Sequence, residues 1–207
     1  MDAVANQSGQ RMKFLSVCVM AMCTMLGWSD TALAQASANK VQSNSDWSVF
    51  VDSNPKECWA VSAPRETVAT RDGNLVPIRR GDILLFVFFR PGEGVTGQLA
   101  FTGGYPFAGG STVDLDVDGT KYSLFTSGEW AWASKPEDDA RIIAAMKKGN
   151  SATLLARSGR GTVTTDKFSL SGFTASANAA ASQCEVALPN PQVQTAPGRA
   201  GTAVPRN

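Results

Sequence analysis

The segment "GEWAWASKPEDD", residues 128–139, places two tryptophans beside four carboxylates. Trp130 and Trp132 stand two positions apart, so an extended backbone puts both indole rings on one face, where they could stack on a sugar together with Tyr105. Glu129 points to the opposite side of such a strand, which weakens a glycosidase interpretation. The pattern favours packing of both indoles in the core over ligand stacking. Tyr105, Trp130 and Trp132 are kept as candidate ligand-binding residues.

Three aspartates in "DLDVDG", residues 114–119, copy the opening of a calcium loop. The twelfth position of such a loop should be a bidentate glutamate, and here it is Phe125. Alternate side chains of a strand stay roughly 7 Å apart, whereas Ca²⁺ needs oxygens at about 2.4 Å. We therefore interpret Asp114, Asp116 and Asp118 as the exposed face of a β-hairpin with an Asp-Gly turn, and predict no metal site. A calcium-stabilised adhesion domain is a third, weaker hypothesis.

The chain contains no histidine, so the commonest general base, the commonest zinc ligand and the Ser-His-Asp and Cys-His arrangements are missing. The glycine-rich segment "FTGGYPFAGGST", residues 101–112, lacks the lysine of a phosphate-binding loop and leads into a strand rather than a helix. We interpret it as a loop that packs Tyr105 and Phe107 against the edge of the fold. No catalytic residue and no cofactor are predicted, and we interpret the chain as non-enzymatic.

The composition fits one globular domain with terminal extensions: 207 residues, 43% of them apolar, with 19 basic and 18 acidic side chains. A net charge of +1 without a basic patch provides no general attraction to nucleic acid. We therefore expect no nucleic-acid partner.

The first residues predict export. Met12 and Lys13 precede an apolar stretch, residues 14–26, and Ala32 and Ala34 form a cleavage site. Residues 12–34 are therefore predicted to be a signal peptide, and residues 1–11 an extension that arises from a misassigned start codon. Thirteen apolar residues fall short of the roughly 20 that span a bilayer, so no transmembrane segment is expected after cleavage.

Cleavage at this site removes Cys18 and Cys23 and leaves Cys58 and Cys184 as the only cysteines of the mature chain. Exported proteins fold in oxidising compartments, where such pairs form disulfides. We predict a bond between Cys58 and Cys184.

Between a polar linker at residues 35–45 and a proline-rich tail at residues 185–207, both predicted to be disordered, lies a predicted domain at residues 46–184. Its short apolar runs and frequent turn residues favour an antiparallel β-sandwich. The predicted strands are 47–51, 58–62, 83–90, 96–101, 112–117, 121–125, 152–157 and 162–170. The run "ILLFVFF", residues 83–89, is apolar on both faces and predicts a central strand covered on each side.

Helical periodicity is clear in "SKPEDDARIIAAMKKG", residues 134–149. Ser134 and Glu137 have the spacing of a capping box, and Gly149 stands where a left-handed helix end is expected. A second, alanine-rich helix is predicted after Thr174, which would carry Cys184 back toward the sheet.

Five segments in this order, "DWSVFVDSNPKECW", "RRGDILLF", "FTGGYPFAGGSTV", "LFTSGEWAWASKPEDDARIIAAMKKG" and "FSLSGFTA", resemble the invasion-associated locus B (IalB) family over residues 46–175. The resemblance implies an all-β, immunoglobulin-like antiparallel β-sandwich with one or two short helices. It also implies export to the periplasm or outer envelope of a Gram-negative bacterium, without known catalysis and with a link to host-cell entry in pathogenic members. It supplies no catalytic residue.

The favoured hypothesis is thus a non-enzymatic protein of the cell envelope that presents its sandwich to another protein or surface component. The alternative is a carbohydrate-binding module or weak glycoside-acting enzyme that uses Trp130 and Trp132, with Tyr105 and Glu129.

Overall fold

The computed structural model describes residues 39–188, which form twelve strands and two α-helices. The strands are β1 (Lys40–Asn44), β2 (Trp47–Ser53), β3 (Lys56–Ser62), β4 (Glu66–Arg71), β5 (Asn74–Leu75), β6 (Leu84–Arg90), β7 (Val95–Thr102), β8 (Thr112–Val117), β9 (Thr120–Ser127), β10 (Trp130–Trp132), β11 (Ser151–Arg157) and β12 (Val163–Ser169). The helices are α1 (Pro136–Lys148) and α2 (Phe173–Gln183). Neither helix has the length and apolar character needed to cross a bilayer. The predicted extension, the signal peptide and residues 189–207 of the tail lie outside the described residues.

All strand pairings in this region are antiparallel, in the order β1-β2-β3-β6-β7-β10-β9-β8-β11-β12-β4-β5. The inner faces of distant strands meet in the core: Phe101 of β7 lies edge-on to Phe168 of β12, with 6.2 Å between ring centroids. Trp47 Nε1 of β2 donates a hydrogen bond to the Ser169 carbonyl of β12 at 2.9 Å. The predicted all-β, sandwich-like fold with two short helices is confirmed.

The predicted hairpin forms as β8 and β9. Asp118 and Gly119 both have positive φ, 45° and 93°, as a two-residue turn between twisted strands requires. Val113, Leu115 and Val117 face the core, so the alternation in the sequence assigned the inner face correctly.

Helix α1 forms where predicted and buries Ile142, Ile143 and Met146. Its ends differ from the prediction. Lys135 occupies the N-cap without a side-chain cap, so Ser134 and Glu137 do not form a capping box; Pro136 at the first position sets the backbone instead.

Gly149, which follows α1, is extended rather than left-handed (φ −86°). A Cβ at this position would lie 3.0 Å from Val117 Cγ1, so close packing is the reason for a glycine here.

Helix α2 begins after Gly172 and packs on β2 and β3. Its C-cap residue, Cys184, forms a disulfide with Cys58 of β3, with a Cα–Cα distance of 5.8 Å. The predicted disulfide is present, and it joins two elements 126 residues apart in sequence.

Four strands were not predicted, namely β1, β4, β5 and β10. Strand β1 lies within residues 35–45, which the sequence analysis interpreted as a disordered linker; Lys40–Asn44 instead pair with β2 at the edge of the sheet. Strands β1, β4 and β5 are mostly exposed on both faces. Polar strands at or next to the edge of the sheet therefore lack the apolar alternation that reveals strands in a sequence.

Candidate functional site

Seven aromatic side chains form a continuous band, here called the aromatic strip, on the outer face of the sheet. From one end to the other the rings belong to Phe50, Trp59, Phe88, Phe86, Trp130, Trp132 and Phe125. Successive ring centroids lie between 5.0 and 6.3 Å apart. These are the distances at which aromatic pairs attract one another.

Strand register brings these rings together. Phe50 of β2 stands opposite Trp59 of β3, and Trp59 stands opposite Phe88 of β6. At the other end, Trp132 of β10 stands opposite Phe125 of β9. Because opposite residues of paired strands point to the same face, a chain of aromatic cross-strand pairs results.

Strand β7 crosses beneath the strip and supplies small residues. Ala100 is fully buried and pairs with both Phe86 and Trp132, while Thr102 pairs with Trp130. With only these small side chains between β6 and β10, Phe86 and Trp130 approach to 5.6 Å across β7. The rings of the aromatic strip thus shield both the backbone of β7 and one another from solvent.

The prediction that both indoles pack in the core is wrong. Trp130 is 36% exposed, Trp132 is half-buried, and the fully buried residue of β10 is Ala131 between them. The spacing correctly placed both indoles on one face. The sequence did not reveal which face is inner, because here the small residue faces the core and the two large ones face solvent.

The strip is bordered by charged and polar side chains near β6. The guanidinium carbon of Arg90 lies 4.6 Å from the centroid of the Phe88 ring, a cation–π contact. Arg90 Nε donates to Glu57 Oε1 at 2.6 Å, and Arg90 Nη1 donates to Gln98 Oε1 at 2.9 Å. An apolar centre with a hydrogen-bonded polar border results.

Tyr105 and Glu129 do not join the strip; both line a separate pocket of about 350 Å³. We call it the arginine pocket, because its walls include Arg71, Arg79, Arg80 and Arg160. The structure therefore divides the sequence candidates between two places, with Trp130 and Trp132 in one and Tyr105 in the other.

Two wall residues of the arginine pocket are held by buried partners. Arg80 forms a two-bond ion pair with Asp166, in which both side chains are buried. Burial raises the pKa of the Asp166 carboxyl, and the hydrogen bonds from Arg80 oppose that shift. Tyr105 Oη lies 2.5 Å from Thr164 Oγ1, and burial raises the pKa of this phenol.

The sequence does not reveal this pocket, because its arginines are spread over ninety positions and only Arg79 and Arg80 are adjacent.

The acidic residues of the opening segment mostly belong to the scaffold. Asp139 in α1 is only 6% exposed, and its Oδ1 accepts a hydrogen bond from the Leu99 backbone N–H at 2.8 Å. Burial raises the pKa of Asp139 to about 7, although the Leu99 hydrogen bond opposes this. Leu99 lies just beyond the last residue of β7 that pairs with β10. The Asp139 carboxyl group thus supplies the acceptor that a backbone carbonyl of a neighbouring strand would otherwise provide for the Leu99 N–H.

The hairpin aspartates do not converge. Asp114 and Asp116 lie on the outer face of β8, where Asp116 accepts a hydrogen bond from the Gly119 N–H at 2.7 Å. Asp118 accepts hydrogen bonds from Asn150 and Ser151, which lower its pKa, and so links the hairpin turn to the start of β11. Within residues 39–188, no three His, Cys, Asp or Glu side chains are grouped closely enough to hold a metal ion.

Comparisons with known proteins give the family of this chain. No curated protein matches the sequence. Among solved structures, the crystal structure of invasion associated protein b from Bartonella henselae is similar, with 16% identity and a TM-score of 0.47 over 70% of this chain and 97% of that chain. The profile described as "Invasion associated locus B (IalB) protein" matches residues 47–181, which span β2 to α2 and include the whole aromatic strip. The chain belongs to the invasion-associated locus B family.

Proposed function

We propose that this chain is an exported, non-enzymatic protein of the cell envelope that binds a partner protein through the aromatic strip. The observation that carries the proposal is the strip itself: seven adjoining rings on an outer face, with Trp130 36% and Phe125 45% exposed. Exposed apolar patches that are contiguous and have a polar border are typical of interaction surfaces.

The composition of the strip fits a protein partner. The centres of protein interfaces are enriched in aromatic residues and depleted of charge, and arginine is common among the residues that dominate binding. Four of the seven rings are phenylalanines, which have no polar group to hydrogen-bond a sugar hydroxyl. The rings also hold one another in place, so little side-chain entropy is lost when a partner binds.

Export is supported by the signal-peptide pattern of residues 12–34 and by the disulfide between Cys58 and Cys184, a bond typical of oxidising compartments. We propose a location in the periplasm or at the outer envelope. Fractionation of cells separates these two sites, and protease treatment of intact cells reports whether the domain reaches the surface. Recovery of the uncleaved chain in the cytoplasm would contradict export.

Carbohydrate binding is the second candidate, because the Trp130 and Trp132 rings are inclined by only 18° with centroids 6.3 Å apart. Two nearly parallel indoles on an open face are suited to stacking on sugar rings. Glu129 lies at the arginine pocket and not beside these indoles, so the geometry favours binding over glycoside cleavage.

Site-specific crosslinking in cells tests the proposal. A photoreactive p-benzoylphenylalanine replaces Phe125 in one strain and Val68 in a control strain; both positions are 45% exposed, and Val68 lies on β4, four strands from β9 in the sheet. We expect a discrete protein adduct only from position 125, lost when Trp130→Ser is added. Equal adducts from both positions, or none, would contradict a protein interface.

A glycan array with the purified domain separates the second candidate. Binding that disappears in Trp130→Ala and Trp132→Ala, without a protein adduct in cells, would replace the protein partner with a carbohydrate.

A further inference from the structure

A second site, distinct from the aromatic strip, is present where four connections of the sheet meet. The arginine pocket is formed by the end of β4, the segment between β5 and β6, the β7–β8 and β11–β12 connections and the β9–β10 turn. We propose that it binds a small phosphate monoester, with the arginines on the phosphate and an apolar or ring-shaped body on the remaining wall.

The net charge of the pocket favours a ligand with two negative charges. The positive charge of Arg80 is matched by Asp166, which leaves Arg71, Arg79 and Arg160 against the single carboxylate Glu129. The pocket therefore carries an excess of two positive charges. A phosphate monoester carries about −1.5 to −2 at pH 7, whereas a simple carboxylate carries only −1.

Several guanidinium N–H groups of these arginines are available to donate hydrogen bonds to a ligand. Arg79 and Arg160 are exposed and make no hydrogen bond or ion pair with any residue of the region 39–188. Arg71 uses one nitrogen, Nη2, to donate to Thr162 Oγ1 at 2.6 Å. Guanidinium groups offer paired N–H donors that match the oxygens of a phosphate, so these three side chains can converge on one anion.

The remaining wall fits the body of a small ligand. It includes Ile78, Pro106 and the ring of Tyr105, and the Tyr105 ring is held in place by the hydrogen bond with Thr164. A volume of about 350 Å³ lies at the small end of the range for ligand sites, so it fits one compact molecule and not a polymer segment.

The pocket is fixed by backbone contacts between its loops. Gly81 N–H donates to the Gly104 carbonyl at 2.9 Å, and Gly159 N–H donates to the Pro106 carbonyl at 3.1 Å. Gly104 has φ +70°, and a Cβ there would lie 2.5 Å from the Gly81 carbonyl oxygen, so only glycine permits this approach. A pocket held in this way exists before a ligand arrives, which favours binding.

Calorimetric titration tests the proposal with three probes that share a ring: phenyl phosphate (dianion), benzoate (monoanion) and phenol (neutral). The buffer is free of phosphate and of low ionic strength. We expect saturable binding of phenyl phosphate that weakens as salt is added, weaker binding of benzoate and none of phenol. Arg79→Gln/Arg160→Gln should weaken phenyl phosphate binding by about tenfold or more. Glu129→Gln should strengthen it several-fold, because it removes a repulsive charge.

The matched control is Arg141→Gln/Lys148→Gln, which removes two positive charges from the exposed side of α1 and should leave the affinity unchanged. The proposal is overturned if phenyl phosphate gives no saturable heat at millimolar concentration, or if the pocket and control variants lose affinity equally. Equal affinity for benzoate and phenyl phosphate would replace the phosphate with a carboxylate. The arginine variants and the control lie outside the aromatic strip, so their outcome is independent of the proposed partner interface.

Discussion

Asp139 makes the stability of this domain depend on pH in a range where few other groups titrate. Its carboxyl group is 6% exposed, and burial raises its pKa to about 7 from the ordinary value of 3.8. Well below pH 3.8 the group is protonated in both folded and unfolded chains. Between pH 4 and 7 the folded protein keeps a proton that the unfolded chain releases. The unfolding free energy should therefore fall as pH rises through this window, and level off above it.

The magnitude follows from the two pKa values. They differ by roughly three units, and each unit of difference corresponds to about 1.36 kcal/mol. Asp139 alone should therefore lower the unfolding free energy by at most about 4 kcal/mol between pH 4 and 8. Relaxation around the ionised carboxylate makes the measured value smaller. No histidine contributes, because the chain has none.

The Asp139→Asn variant tests this reasoning. Its amide oxygen can still accept the hydrogen bond from the Leu99 N–H, but the side chain stays neutral at every pH. We expect the stability of the variant relative to the parent to rise by about 3 kcal/mol between pH 4.5 and pH 8. Urea unfolding of the disulfide-intact domain, followed by tryptophan fluorescence at pH 4.5, 6, 7 and 8, measures the difference.

Glu137→Gln is the matched control, since it removes an exposed carboxylate from the same first turn of α1. It should leave the slope between pH 5.5 and 7 unchanged. Asp139→Ala should lose stability at pH 4.5, because the buried Leu99 N–H is left without an acceptor at a cost of about 1–3 kcal/mol. If Asp139→Asn keeps the parent's slope, or is less stable than the parent at pH 8, the reasoning is refuted.

Three further predictions concern the scaffold, each measured by urea unfolding at pH 7. Cys58→Ser/Cys184→Ser should lower the unfolding free energy by up to roughly 5 kcal/mol, the chain-entropy value for a separation of 126 residues, and a reduced parent should behave alike. Gly172→Ala should lower the unfolding free energy by more than about 1–2 kcal/mol, the cost of a left-handed backbone alone, because its Cβ would lie 1.9 Å from the Asn44 carbonyl oxygen. Gly73→Ala is the matched variant, since Gly73 has φ +80° and no atom within 4 Å of its Cβ position. Its loss of stability therefore measures the cost of the left-handed backbone by itself. Arg80→Met should cost about 3–5 kcal/mol by leaving Asp166 buried and unpaired, and Arg80→Met/Asp166→Leu should recover much of it; an equal loss in both would contradict a desolvation penalty.

Elements with a clear pattern of apolar residues were predicted from the sequence, and elements without such a pattern were not. Strands with buried alternate residues were predicted because one face must pack in the core, and β8 was predicted at its observed bounds. The edge strand β1, and β4 next to the opposite edge, were missed because hydrogen bonds to neighbouring strands, and not apolar burial, hold them in place. Local motifs were least reliable at the ends of α1, where Pro136 and close packing at Gly149 determine the geometry.

Neither site could be assembled from the sequence, for different physical reasons. The aromatic strip depends on register: Phe50, Trp59 and Phe88 meet only because their strands are adjacent and aligned, which a single sequence does not specify. The arginine pocket depends on connections brought together by the fold, and the backbone hydrogen bonds that help to join them leave no pattern of residue types.

The aromatic strip is not equally available along its length, and this locates the expected interface. Phe86, in the middle, is only 9% exposed because its neighbours cover it, whereas Trp130 and Phe125 at the β9–β10 end keep over a third of their surface in solvent. A partner gains free energy only from apolar area that is still exposed, at about 25 cal/mol per Å². Substitutions at Trp130 and Phe125 should therefore weaken binding most, while Phe86 and Trp59 act by holding the outer rings in place. Because neighbouring rings cover one another, the unbound protein does not expose all seven rings of the aromatic strip to solvent.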